Sequence, residues 1–123
     1  DIIIDISNYD IVKKLLIENN IEIEYGYGIG DKKNILKTKD TTNYCSVDFY
    51  MASLDEKGNF NDTWEKVIWS ECYNEKNELI QYIWNDKKLY LPFNYEKKLF
   101  NRYGKNWRIP QNNKGPSPRK TIL

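Results

Sequence analysis

Apolar positions along this chain recur in two rhythms, and the switches between them predict the elements. Ile2, Ile3 and Ile4, bounded by Asp1 and Asp5, form a β-branched run that predicts a buried strand. Ser7 suits a helix N-cap, with Asp10 three residues on, and Ile11, Val12, Leu15 and Leu16 follow at helical spacing. This predicts a helix over 8–19 that stops at Asn19-Asn20. Ile21 to Tyr25 alternates with period two, as a half-exposed strand does. Strand patterns return weakly at Lys33–Lys39, more clearly at Cys45–Met51, and briefly at Val67–Cys72. Asp55–Asn59 reads as a turn. Leu79–Trp84 and Lys88–Pro92 flank Asn85-Asp86, a hairpin signature. Asn94 is placed to cap a second helix with Leu99 and Phe100 on its apolar side, and Gly104 to end it. The order β-α-β-β-β-β-β-α predicts an α+β fold, a mixed β-sheet with two main helices. It predicts a single domain over 1–110, then an extended or disordered tail over 111–123.

Composition narrows the classes. At 123 residues, 40% hydrophobic and 30% charged, the chain suits one folded domain and excludes a low-complexity or collagen-like polymer. A net charge of +1 gives no bulk polycation, so no nucleic-acid partner is expected. No apolar run approaches the ~20 residues of a membrane span, and no targeting segment is visible. The chain opens on Asp inside a strand-like run, which reads as a piece of a longer protein whose upstream residues carry part of any site.

The residue inventory limits the chemistry. There are two cysteines, Cys45 and Cys72, and no histidine. That excludes a four-ligand zinc site and Ser-His or Cys-His nucleophiles. The cysteines read as small buried hydrophobes, with a disulfide between them left open. Acid–base work falls to carboxylates, Lys or Tyr. The glycines at 26, 28 and 30 do not form a GxGxxG pattern and no helix follows, so they read as a flexible or bulged hairpin. Asn61-Asp62-Thr63 is a glycosylation acceptor pattern.

The acids are the sharper signal. Asp1 and Asp5 fall on one face of a strand but roughly 13 Å apart, so they cannot share one ion. One serves a site at most, and the other solvates or caps a strand end. Asp48 lies between Val47 and Phe49, where a carboxylate is costly unless paired or metal-bound. It reads either as a solvent-facing residue of a half-exposed strand or as half of a cation site. If its strand neighbours the one that follows Asp1, the two carboxylates converge at about 4.8 Å strand spacing. That is the geometry of divalent-cation phosphoryl transfer. Near the C-terminus, Trp107 can pack on the end of the second helix while Lys105 and Arg108 point outward. They form either a solvated rim or a basic rim facing a phosphate. Trp64, Trp69, Trp84 and Trp107 sit in different elements, so core positions are expected for most, against a weaker reading as a carbohydrate-binding module.

Leu91-Pro92, Glu96 to Phe100, Tyr103-Gly104-Lys105-Asn106-Trp107 and Ile109-Pro110 together resemble the C-terminal signature of the LicD/fukutin family. Ser46 to Tyr50 resembles that family's hydrophobic-Val-Asp-hydrophobic strand, and Asp1-Ile2-Ile3-Ile4 the end of its Asp-x-Asp-x-Asp metal motif. The resemblance implies a partial nucleotidyltransferase-like fold. It implies Mg²⁺ (or Mn²⁺)-dependent transfer of a phospho-alcohol, of phosphocholine or ribitol phosphate type, from a CDP-linked donor to a glycan hydroxyl such as that of a lipopolysaccharide. Asp1 would be a metal ligand, Asp48 a second carboxylate at the metal or the base for the acceptor hydroxyl, and Lys105 and Arg108 the substrate rim. The compartment would be the Golgi lumen in a eukaryote and the cytoplasm in a bacterium. Ile3 stands where a second acid would fall if Asp1 opened the triplet, so this segment is expected to be catalytically incomplete. The alternative is an inactive relative that binds glycan or partners.

Overall fold

The triple isoleucine does form a strand, β1 (Ile2–Asp5), but an edge strand with Ile2 and Ile3 exposed. The structure, a computed structural model, describes residues 1–24, 33–110 and 122–123. The glycine-rich stretch at 26–30 and the tail from 111 to 121 lie outside the described residues. Elsewhere the fold is α+β. Its remaining strands are β2 (Ile35–Lys37), β3 (Asp48–Leu54), β4 (Phe60–Asp62), β5 (Ile68–Trp69), β6 (Ile80–Trp84) and β7 (Lys87–Leu91). Its helices are α1 (Tyr9–Glu18) and α2 (Tyr95–Tyr103). The chain divides into two compact units. One comprises Asp1–Leu54 with Asn61–Lys66, the other Asp55–Phe60 with Val67–Leu123.

In the first unit β3 is central. β1 pairs with it in parallel and β2 in antiparallel, so the sheet is mixed. α1 lies over one face, where Tyr9, Leu16, Leu36 and Met51 form the core and Ile4, Val12 and Phe49 pack against it. Leu36 and Met51 are fully buried, each contributing roughly 1.5–3 kcal/mol of apolar burial. Tyr9 anchors the helix, whereas Ile11 and Leu15, expected inside, are exposed. The strand expected over Ile21–Tyr25 narrows to a bridge between Ile23 and Thr38. β3 begins three residues after Cys45, which is exposed rather than buried, and both cysteines are free.

The entry to α1 differs from expectation. Ser7 does not cap the helix, because a 3-10 turn over Ile6–Asn8 intervenes. Asp5 caps that turn, accepting from the Ser7 amide (2.8 Å) and hydroxyl (2.6 Å). Asp5 is thus the strand-end capping acid. Those two hydrogen bonds hold its carboxyl below the usual 3.8. A depressed folded-state value means the stabilisation is present above 3.8 and is lost as pH falls through the folded value. Urea midpoints measured across the acid range should therefore drop below pH 4 in the wild type. Ser7→Ala should be less stable at neutral pH and show a shallower acid decline.

In the second unit, β6 and β7 form a hairpin with Ile80 opposite Leu91 and Trp84 opposite Lys87. Asn85 and Asp86 close it, both with positive φ (46° and 60°), the signature of a type I′ turn. Glycine adopts this conformation at lower cost, so Asp86→Gly should raise stability by about 0.5–1 kcal/mol in denaturant titrations. α2 ends at Gly104 (φ 85°), whose amide donates to the Phe100 carbonyl. Asn94 stands at its N-cap in a left-handed conformation, with no side-chain capping bond. Residues 122–123, expected in a loose tail, are anchored. Ile122 bridges Ile68, and buried Leu123 exchanges backbone hydrogen bonds with Ile68 and Ser70. No helix among the described residues is long and apolar enough to cross a membrane.

Candidate functional site

The parallel register of β1 on β3 positions the two acids singled out above. Ile2 lies opposite Phe49, Ile3 opposite Tyr50 and Ile4 opposite Met51. Asp1 and Asp48 each stand one residue upstream of the first pair. Asp1 itself precedes β1; the register continued one residue upstream sets it beside Asp48, for which the strand spacing of about 4.8 Å is expected. Side chains alternate along β3, and Phe49 and Met51 face α1, so Asp48 lies on the opposite face of the sheet. Asp5, three residues beyond Ile2, is occupied by Ser7 and takes no part.

Asp48 is half-buried, and its Oδ1 is buried with no hydrogen-bond partner among the described residues. Leaving such an acceptor unsatisfied costs about 1–3 kcal/mol, more when charged. On its other flank the β2 register brings Lys37 opposite Asp48. The Lys37 ammonium lies 3.4 Å from Glu24, with which it pairs. Lys37 was not singled out in the sequence, although its place at the end of a weak strand facing Asp48 follows once the antiparallel pairing is known.

These residues suit a hard divalent cation in one specific way. Mg²⁺ is commonly held by one or two carboxylates, with waters and substrate phosphates completing the shell. Asp1 and Asp48 supply two carboxylates, and the orphaned Oδ1 supplies a lone pair without a competing donor. Among the described residues no group of three or more His, Cys, Asp or Glu converges, so an all-protein cage is not formed.

Lys105 and Arg108 belong to the second unit. Lys105 is exposed in a shallow groove of about 370 Å³ lined by Phe100, Tyr103, Gly104 and Asn106. Arg108 is already engaged: it donates to Glu96 at 2.5 Å and lies over the Trp107 ring at 4.1 Å. Of the tryptophans expected mostly in the core, Trp64 and Trp84 are exposed, while Trp69 and Trp107 are half-buried. In the acceptor pattern, the Asn61 side-chain amide donates to the Ser53 carbonyl and the Thr63 hydroxyl to that of Met51.

Sequence reading missed Lys98, which is buried in α2 and donates to the carbonyls of Ser70 and Leu123. Burial pushes its ammonium below the usual lysine range. Lys98 holds Leu123 in place. The signal was available, since Tyr95, Lys98, Leu99 and Arg102 share one helical stripe.

Compared with protein-family models, curated proteins and solved structures, the chain matches none of them.

Proposed function

We propose that the chain is part of a metal-dependent phosphotransferase with a nucleotidyltransferase-like fold. It moves a phospho-alcohol from a CDP-linked donor to a glycan hydroxyl, as its resemblance to LicD/fukutin proteins suggests. The reading rests on the β1–β3 register, which, continued one residue beyond its first pair Ile2–Phe49, sets Asp1 beside Asp48, and on the buried, unpartnered Oδ1 of Asp48.

Asp1 and Asp48 would hold Mg²⁺ or Mn²⁺. The bound ion would polarise the donor diphosphate and stabilise the charge on departing CMP. The chain's own part is orientation and charge. Asp48 presents its carboxylate from a sheet strand, a rigid support that limits misplacement of the reacting groups. It also accepts the proton released when the acceptor oxygen bonds to phosphorus and the bond to CMP breaks. Of the two residues expected at a substrate rim, both in the second unit, Lys105 is exposed and Arg108 is paired with Glu96.

A second reading, an inactive relative that binds glycan or a partner, is favoured by the lack of a third converging acid among the described residues. Incubation of the full-length protein that contains this chain with CDP-choline or CDP-ribitol, Mg²⁺ and a glycan acceptor separates the two. The phosphotransferase reading expects CMP release that chelation abolishes. Its absence across several donors and acceptors overturns that reading in favour of the inactive relative.

A further inference from the structure

The near-neutral net charge hides a strong asymmetry. From Asp86 to Pro110 the chain carries seven Lys and Arg residues and two acids, Asp86 and Glu96. Three of the seven are engaged. Lys98 is buried against carbonyls, Arg108 pairs with Glu96, and Arg102 lies over the rings of Trp69 and Tyr103. Lys87, Lys88, Lys97 and Lys105 are exposed, with no ion pair among the described residues.

Two of these lysines sit on the β6–β7 hairpin, which is unusually apolar for its exposure. One face aligns Tyr82 and Trp84 of β6 with Leu89 and Lys87 of β7. The other carries Ile83 and Tyr90 beside Lys88. Trp84 is 56% exposed, Ile83 55% and Tyr90 62%. Among the described residues neither strand pairs with any other. A two-stranded hairpin with both faces in water is only marginally stable, so a partner that covers it also orders it.

We infer that this hairpin docks on an anionic lipid bilayer surface. Lys87 and Lys88, against the single acid Asp86 of the turn, leave the hairpin net positive, which favours a negatively charged partner. Tryptophan and tyrosine settle at the boundary between headgroups and acyl chains, and lysine stems lie along apolar surface while their ammonium groups reach the phosphates. A rigid protein surface covers one face of a hairpin, whereas a fluid headgroup layer takes amphipathic side chains from both. A second copy is disfavoured, because a symmetric contact sets the same lysine-bearing patch against itself. The aliphatic side chains of Ile83 and Leu89 favour lipid over single-stranded RNA, whose bases stack on aromatic rings. The site shares no residue with the Asp1–Asp48 pair.

Flotation of the full chain with phosphatidylcholine vesicles, with and without phosphatidylserine, tests this. The chain should float only with phosphatidylserine present, and less at high salt. Lys87→Gln with Lys88→Gln should weaken partitioning about thirtyfold, because each lysine at an anionic surface contributes about a factor of five. Lys87→Arg with Lys88→Arg should retain it, and unchanged far-UV circular dichroism should show both variants folded. Trp84→Ala should weaken partitioning independently of salt. No flotation, flotation indifferent to the glutamine pair, or tighter binding of single-stranded RNA than of vesicles at equal phosphate concentration would each overturn the inference.

Discussion

In the full-length protein that contains this chain, Asp48→Asn should reduce CMP release by at least about a hundredfold while leaving the fold intact. The substitution keeps the side chain's shape but removes its charge and its ability to take a proton. Losing one preorganised electrostatic group at a reacting centre typically costs about 10²–10³ in turnover. Stability should not fall with activity, because Oδ1 has no hydrogen-bond partner to lose among the described residues. Asn keeps the shape and gives up no hydrogen bond at Oδ1, so its denaturant midpoint without metal should stay close to that of the wild type. This split distinguishes a site residue from a structural one. A carboxylate that merely held the sheet together would lose stability and activity in parallel.

Leu36→Ala should have the opposite signature, a large loss of stability. Leu36 is fully buried between α1 and the sheet, in contact with a core that includes Tyr9, Leu16 and Met51. Leu→Ala at such positions costs about 2–5 kcal/mol, through lost transfer free energy and the cavity left behind. Domains of this size are stable by only about 5–15 kcal/mol. Urea unfolding followed by circular dichroism should therefore show a sharply lowered midpoint. β2 also carries Lys37 opposite Asp48, so this change should loosen the candidate site from behind. A loss below about 1 kcal/mol would mean that this core does not hold β2 on β3.

The sequence exposed most of what depends on local rhythm. Helical spacing located both helices, and Asn85-Asp86 located the β6–β7 hairpin, because turn chemistry and periodicity act over a few residues. Exposure was less legible. Three consecutive isoleucines read as a buried strand, yet β1 lies at a sheet edge, and edge position depends on which strands pair, a long-range property. β4, Phe-Asn-Asp, has too little β-propensity to be seen. Cys45 was expected inside from residue type alone, as were most of the tryptophans, yet Cys45, Trp64 and Trp84 are exposed. Asp48 stood out because a carboxylate among apolar neighbours is costly wherever it lies. Its nearness to Asp1 was conditional on strand pairing, which spacing does not specify. Lys37 stayed hidden for the same reason, since a lysine in a weak strand carries no signal until its cross-strand partner is known.

Manganese-induced paramagnetic broadening of backbone amide resonances tests the pairing of Asp1 with Asp48 most directly. Titrated with Mn²⁺, the wild-type chain should lose first the signals of Ile2, Lys37, Asp48 and Phe49, and Asp48→Asn should keep them at the same metal concentration. Broadening centred on other acids, such as Asp55 or Asp62, or broadening around Asp48 that survives in Asp48→Asn, would contradict the account.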